Sequence, residues 1–158
     1  MGLIMAFEFA TAGRIFFGAG ALEKLTEVLP GLGARCFVVS GGGSVHMEPL
    51  YHILDQEGVP FETFRISGEP EVSVIQSGVD KAHAARPDFL VALGGGSVID
   101  SAKAIAALMT NPGELMDYLE VIGGGKKIIN PPLPVVALPT TAGTGTEVTR
   151  NAVIASPE

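Results

Sequence analysis

The sequence has little cysteine, little basic charge and no long apolar run, and each shortage excludes a class of protein. The one cysteine, Cys36, cannot form an intramolecular disulfide. Ten basic against 17 acidic residues give a net charge of -7, which is not the basic surface of a nucleic-acid-binding protein. No run of about 18 apolar residues could span a membrane, and residues 1–6 lack the pattern of a signal peptide. We therefore expect a cytoplasmic protein with neither a nucleic-acid nor a membrane partner.

The composition is that of a folded domain. Hydrophobic residues make up 47% of the 158 residues and charged residues 17%, so the chain can form a core and intrinsic disorder is excluded. Cys36 lies in an apolar run and is predicted to be a buried, unreactive thiol. Glycine is abundant at 21 residues, nearly double the usual share of about 7%. These glycines are clustered, so they require a local explanation.

Helical and extended patterns alternate from residue 20 onward. Predicted helices cover residues 21–29, 49–57, 70–86 and 97–109, and predicted strands cover residues 35–40, 61–66, 88–93 and 135–138. Strands that are apolar on both faces and separated by helices are typical of a parallel sheet covered on both sides. The predicted fold class is α/β, doubly wound.

Two segments fall outside this alternation. Phe7, Phe9, Ile15 and Phe16 flank a short turn, which predicts an N-terminal β-hairpin over residues 7–17. Residues 110–134 are rich in proline and glycine and are predicted to be a surface excursion rather than a domain boundary.

The glycines cluster just after the carboxyl ends of predicted strands. They occupy residues 41–43, residues 94–96, and positions 143 and 145. In an open parallel sheet, ligands bind at this edge. Glycine lets the backbone approach a ligand closely, and a following helix N-terminus favours negative charge. The pattern predicts a phosphate cradle.

Residues 94–103 carry the strongest form of this pattern. An alternative is that Ser97 and Asp100 form a helix capping box and the glycines only make a tight turn. That alternative leaves three consecutive glycines unexplained, each of which costs conformational entropy on folding. Anion binding is therefore favoured.

The segment 139–149 surrounds two glycines with hydroxyl side chains. Five threonines lie here: Thr140, Thr141, Thr144, Thr146 and Thr149. Their hydroxyls can bind a pyrophosphate or a ribose, although such loops also satisfy their own backbone. Ligand contact is the favoured interpretation.

Other glycine and histidine positions lack a binding pattern. Gly18 and Gly20 are predicted to form a turn, because Glu23 stands where a dinucleotide fingerprint needs glycine. Residues 123–127 are predicted to be a solvent-exposed hairpin. The three histidines, His46, His52 and His83, are not spaced as metal ligands and are predicted to lie at the surface.

Residues 94–106 and 139–149 closely resemble the iron-containing (group III) alcohol dehydrogenases. The resemblance also takes in the opening hairpin, the turn at 17–20 and the first strand. It implies that residues 1–158 are a Rossmann-like, NAD(P)-binding N-terminal domain, with the helical metal-binding domain of the family absent from this chain. It places Gly95, Gly96, Ser97 and Asp100 near the cofactor pyrophosphate. It places Thr140, Thr141, Thr144 and Val153 on the ribose and nicotinamide side.

The resemblance also bears on the choice of cofactor. Many members have an aspartate directly after the first strand, where this chain has Gly41. The loop looks like that of NADP-using relatives and implies contacts from Gly41, Gly42, Gly43 and Ser44. Glu69 stands near a position where members often carry asparagine, and its charge disfavours a phosphate. The expected cofactor is NADP or NAD, with NADP slightly favoured.

The resemblance implies the cofactor-binding domain of a metal-dependent alcohol dehydrogenase. Hydride would pass between an alcohol or aldehyde and NAD(P), with iron or zinc held only in the full-length protein. Alone, the chain is expected to be inactive, and the full enzyme is expected to be a homodimer or a higher homo-oligomer. The alternatives are a maleylacetate reductase, glycerol dehydrogenase or dehydroquinate synthase relative, or a non-catalytic nucleotide-binding module.

Overall fold

The computed structural model describes residues 11–43 and 47–156. Its centre is one sheet of four parallel strands in the order β2-β1-β3-β4. The strands are β1 (Cys36–Ser40), β2 (Phe61–Arg65), β3 (Phe89–Gly94) and β4 (Val135–Pro139). In the register of the sheet, Cys36 of β1 is paired with Phe61 of β2 on one side and with Phe89 of β3 on the other. The predicted α/β class is confirmed, and the fold is Rossmann-like.

Helices cover both faces of the sheet. They are α1 (Leu25–Val28), α2 (Met47–Gln56), α3 (Val72–Ala85), α4 (Gly96–Leu108) and α5 (Leu115–Tyr118). Because successive side chains of a strand point to opposite faces, Phe37 and Val39 pack with α3 and α4. Val38 packs on the other face with α1 and α2. Each large apolar side chain buried in these two layers contributes about 1.5–3 kcal/mol.

Cys36 belongs to the second of these layers. Its side chain is fully buried in β1, as predicted. Burial raises the pKa of its thiol from 9.0 to about 12, so the reactive thiolate is not formed near neutral pH.

Among the described residues, no helix is long and apolar enough to cross a membrane.

The first part of the chain departs from the predicted elements. The predicted helix over 21–29 is divided into a 3-10 helix (Ala21–Lys24), α1 and a second 3-10 helix (Leu29–Gly31), since Pro30 and Gly31 do not sustain an α-helix. The predicted turn at Gly18 and Gly20 is confirmed, and Gly20 has a φ of 75°. Residues 14–17 form no strand, and the other arm of the predicted hairpin lies outside the described residues. The homodimer or higher homo-oligomer remains a prediction.

The predicted surface excursion at 110–134 is closely tied to α4 and α5. Asn111 is buried; its side-chain amide donates to the Ala107 carbonyl at 2.9 Å and to the Asn130 carbonyl at 3.0 Å. Residues 123–127 are exposed, as predicted, but they form no β-hairpin; Gly124 and Lys126 instead donate backbone hydrogen bonds to carbonyl groups of α5. A Cβ on Gly123 would lie 2.0 Å from the Met116 carbonyl oxygen. Glycine here serves close backbone packing rather than phosphate binding.

Candidate dinucleotide site

Three loops meet at the carboxyl edge of the sheet. They follow β1, β3 and β4, and they enclose a cleft of about 160 Å³. The cleft is lined by Gly41, Gly42, Gly43, Leu93, Gly94, Gly95 and Thr140. The backbone N–H of Thr140 donates to the Gly94 carbonyl at 2.9 Å, and that of Gly41 to the Leu93 carbonyl at 3.1 Å. These bonds extend the strand ladder into the loops, so the predicted glycine edge forms one surface.

A larger depression of about 590 Å³ lies at the opposite edge of the sheet, where Arg35 and Asp88 contribute to its wall. It is wide open, and the Asp88 carboxylate already accepts the backbone N–H groups of Ala34 at 2.7 Å and Arg35 at 3.0 Å. No helix N-terminus of the described chain belongs to its lining. Its size therefore does not make it the better candidate for a phosphate ligand.

Helix α4 begins at the glycine edge with free backbone donors. The N–H groups of Val98 and Ile99 both donate to the Gly95 carbonyl, at 3.1 and 3.2 Å. Those of Gly96 and Ser97 have no partner among the described residues. Helical N–H groups point toward the N-terminus, and α4 has 13 residues to support its dipole. Two free donors at a positive helix end suit a phosphate group.

At each of the three positions 94–96, a side chain would meet a different neighbour, so glycine is required for a different reason at each. A Cβ on Gly94 would lie 2.5 Å from the Val98 side chain, so glycine permits the packing of α4 against β3. A Cβ on Gly95 would lie 3.2 Å from Thr141 Oγ1. One on Gly96 would lie 3.2 Å from Thr144 Cγ2. The loop of residues 140–149 (the threonine loop) therefore rests directly on residues 94–96 (the glycine turn), and the two predicted binding segments are adjacent.

The capping-box alternative for residues 97–100 is wrong. Helix α4 begins at Gly96, and its N-cap is Gly95, which has no side-chain capping bond. Ser97 is therefore already inside the first turn, two residues beyond the N-cap position that a capping box needs. Close packing accounts for the triple glycine: Gly94 lies against Val98, and Gly95 and Gly96 lie against the loop that follows β4.

Asp100 connects α4 to the loop that follows β4. Its carboxylate is nearly buried, accepts the Thr146 hydroxyl and lies 3.3 Å from the ammonium of Lys103. Asp100 thus joins α4 to the end of the threonine loop and does not line the cleft. The sequence analysis does not single out Lys103, although its i,i+3 spacing from Asp100 on a helix indicates the ion pair.

The other predicted residues lie as follows. The side chains of Thr140, Thr141 and Thr144 are exposed on the loop after β4. Val153 is 77% exposed and belongs to the segment that leads to Ala155, whose N–H donates to the Pro70 carbonyl at 3.0 Å. Val153 is not part of the cleft lining, and neither are Gly96, Ser97, Thr141 and Thr144. Ser44 lies outside the described residues.

Metal-ligating side chains are not gathered at this edge. In residues 11–43 and 47–156, no group of three or more histidine, cysteine, aspartate or glutamate side chains is placed to hold a metal ion. His52 and His83 are exposed on α2 and α3, as predicted, and His46 lies outside the described residues.

Comparison with known proteins identifies the family. The family model described as iron-containing alcohol dehydrogenase matches residues 12–158, which is most of the chain. The chain belongs to the iron-containing alcohol dehydrogenase family. The resemblance stated from residues 94–106 and 139–149 is thereby confirmed.

Curated and solved members of the iron-containing alcohol dehydrogenase family match the chain over part of their length. A 4-hydroxybutyrate dehydrogenase of Cupriavidus necator is 45% identical over 153 residues, covering 95% of this chain and 40% of that protein. A crystal structure of an iron-containing alcohol dehydrogenase from Thermotoga maritima has a TM-score of 0.84 at 34% identity, covering 96% of this chain and 43% of that one. The chain thus spans about 40% of the length of these relatives.

One solved relative contains a bound dinucleotide. A sulfoacetaldehyde reductase from Bifidobacterium kashiwanohense, solved in complex with NAD+, matches with a TM-score of 0.74 and 29% identity. The match covers 92% of this chain and 39% of that protein. The shared fold therefore includes a member that binds a dinucleotide.

Proposed function

We propose that this chain is the dinucleotide-binding domain of a metal-dependent alcohol dehydrogenase. The observation that carries the proposal is the pair of free backbone N–H groups at Gly96 and Ser97, at the start of α4, where the threonine loop contacts the glycine turn. The relatives named as dehydrogenases and reductases support the reaction class. The substrates would be a small alcohol and the corresponding aldehyde.

Residues in the cleft and beside it would hold a dinucleotide in the following way. Gly95, Gly96 and Ser97 would hold the diphosphate through backbone amides, which explains why the acidic chain needs no basic surface there. Thr140, Thr141 and Thr144 would donate to the phosphates or to the ribose on the nicotinamide side, where Val153 would also lie. A bound nicotinamide supplies the hydride chemistry, and the protein supplies its orientation. Asp100 would act indirectly, through Thr146.

The metal would be held elsewhere in the enzyme. The described residues offer no cluster of ligands, and the relatives are more than twice as long as this chain. In our proposal iron or zinc is bound by the helical domain that corresponds to the remaining length of these relatives. That domain, and the oligomer in which we expect it to function, would complete the active site.

We further propose a modest preference for NADP over NAD. The loop after β1 has room for an additional phosphate, since a Cβ on Gly42 or Gly43 would meet nothing within 4 Å. The chain has no carboxylate at position 41 to bind a free ribose or to repel a 2′-phosphate. The NAD+ bound by the solved relative and the negative charge of Glu69 argue for NAD. We therefore expect the preference to be small.

Calorimetric titration of the 158-residue chain tests this function. We expect weak binding of both NADP+ and NAD+, with NADP+ the tighter, and no alcohol oxidation when Fe²⁺ or Zn²⁺ is added. Nicotinamide riboside, which lacks the diphosphate, is the control ligand and should not bind measurably. If neither dinucleotide binds, the proposed function is wrong. Metal-dependent turnover by this chain would contradict the placement of the metal in another domain.

A further inference from the structure

We propose that Lys103 is a positioning residue that fixes the threonine loop, residues 140–149, for cofactor binding. The inference rests on the proposed function, but it concerns a side chain that does not touch the cleft. Lys103 lies on α4, two turns below the free N–H groups that begin this helix. Its role would be exerted through the loop.

The ammonium of Lys103 is surrounded by acceptors from three parts of the chain. It lies 3.3 Å from the Asp100 carboxylate, 2.9 Å from Thr146 Oγ1 and 3.3 Å from Thr149 Oγ1. It also donates to the Asn151 carbonyl at 2.8 Å. A lysine has three donors to share among these acceptors, so its hydrogen-bonding capacity is fully used. The side chain is only 16% exposed.

The threonine loop is fixed at both ends. At its first end, the backbone N–H of Thr140 donates to the carbonyl of Gly94 on β3. At its second end, Thr146 is hydrogen-bonded to both Asp100 and Lys103. Between these two points, Thr141 and Thr144 are exposed and rest on Gly95 and Gly96. The hydrogen bonds at the two ends of the loop thus set the distance between these threonine side chains and the N-terminus of α4.

Removing the lysine would also alter the charge beneath the site. The side chain of Asp100 is 10% exposed, and Lys103 is its cationic partner. A carboxylate that loses its partner at such a site is strongly unfavourable and would reorganise the contacts around Thr146. The second end of the loop would be released. Cofactor affinity should therefore fall although no contact to the cofactor has been removed.

The test is a double-mutant cycle read by cofactor binding. Lys103→Met should weaken NADP+ binding about fivefold, roughly the contribution of one hydrogen bond. Thr144→Val removes a hydroxyl of the loop itself. If both act through the loop, the double variant loses less affinity than the product of the two single effects. Lys81→Met is the matched control. Lys81 lies on α3, away from the loop, and donates to the carbonyl of Thr63 on β2 at 2.7 Å. The control has the same charge change and should leave the affinity unchanged.

Two results would overturn the proposal. One is a lower Tm for Lys103→Met with unchanged cofactor affinity, which is the result of a merely structural role. The other is a double variant whose loss equals the product of the single losses. If Lys103→Met does not fold, Thr149→Val removes one contact of the same ammonium, and it should give a smaller loss of affinity with the same coupling to Thr144. Lys103→Arg should restore part of the affinity by retaining the cation.

Hydrogen exchange separates this proposal from the proposed function. In the cofactor-free chain, Lys103→Met should speed amide exchange at Thr141 and Thr144 while leaving β3 unchanged. If the parent chain binds no dinucleotide, the function fails, but faster exchange in the loop would still support the positioning role. Unchanged exchange in the loop would contradict it in either case.

Discussion

Gly96→Asp should abolish measurable cofactor binding while the domain remains folded. The new carboxylate would begin α4 and compete with the diphosphate for the free N–H groups of Gly96 and Ser97. Its Cβ would also press on Thr144, 3.2 Å away. Charge-assisted hydrogen bonds contribute about 1.5–3 kcal/mol each, so losing two corresponds to a loss of about 100-fold or more in affinity. Calorimetry with NADP+ measures this loss.

The fold should tolerate this change, because acidic residues are favourable in the first turn of a helix. Circular dichroism should therefore match that of the parent. Gly31→Asp is the matched control: it makes the same substitution in the 3-10 helix before β1, where a Cβ would meet nothing within 4 Å. It should bind the cofactor as the parent does. A folded Gly96→Asp variant with parental affinity would place the phosphate site elsewhere.

Gly41→Asp should shift the preference from NADP toward NAD by about tenfold or more, which corresponds to about 1.4 kcal/mol. A Cβ at this position would lie 3.4 Å from Val98 Cγ2, an ordinary contact, so the side chain fits. The carboxylate would repel a 2′-phosphate and accept hydrogen bonds from a free ribose. The ratio of the two dissociation constants, measured for parent and variant, reports the shift.

Charge and size can be separated in this experiment. Gly41→Asn has nearly the same size without the charge, so it should change the ratio much less. Raising the ionic strength screens the repulsion and should reduce the effect of the aspartate on NADP binding. An unchanged ratio in the aspartate variant would mean that Gly41 does not face the adenosine ribose.

The sheet and its glycine-rich edge were predictable because they depend on local patterns. β1 and β3 are apolar on both faces, which identifies central parallel strands without any knowledge of tertiary contacts. The glycines after these strands then had to lie at one edge. The loops at 41–43 and 94–96 were therefore placed correctly relative to each other from the sequence.

Features that depend on distant partners could not be predicted in the same way. Lys103 bonds to residues 43, 46 and 48 positions later, and nothing in its own helix indicates them. The start of α4 at Gly96 was missed because glycine is a poor helix former, so propensity favours a start at Ser97. The four-residue helix α5 was missed because only its capping box, Glu114 and Asp117, marks it within a glycine- and proline-rich segment.

The central claim is that the cofactor diphosphate binds at the N-terminus of α4. Titration of the ¹⁵N-labelled chain with NADP+, followed by amide resonances, tests it most directly. The amides of Gly96 and Ser97 should shift most, together with those of the loop at 41–43, because they lie at the proposed phosphate site. The amides of Ala34 and Arg35, beside the larger depression, should remain unchanged. Shifts centred on Ala34 and Arg35, with Gly96 and Ser97 unaffected, would contradict the account.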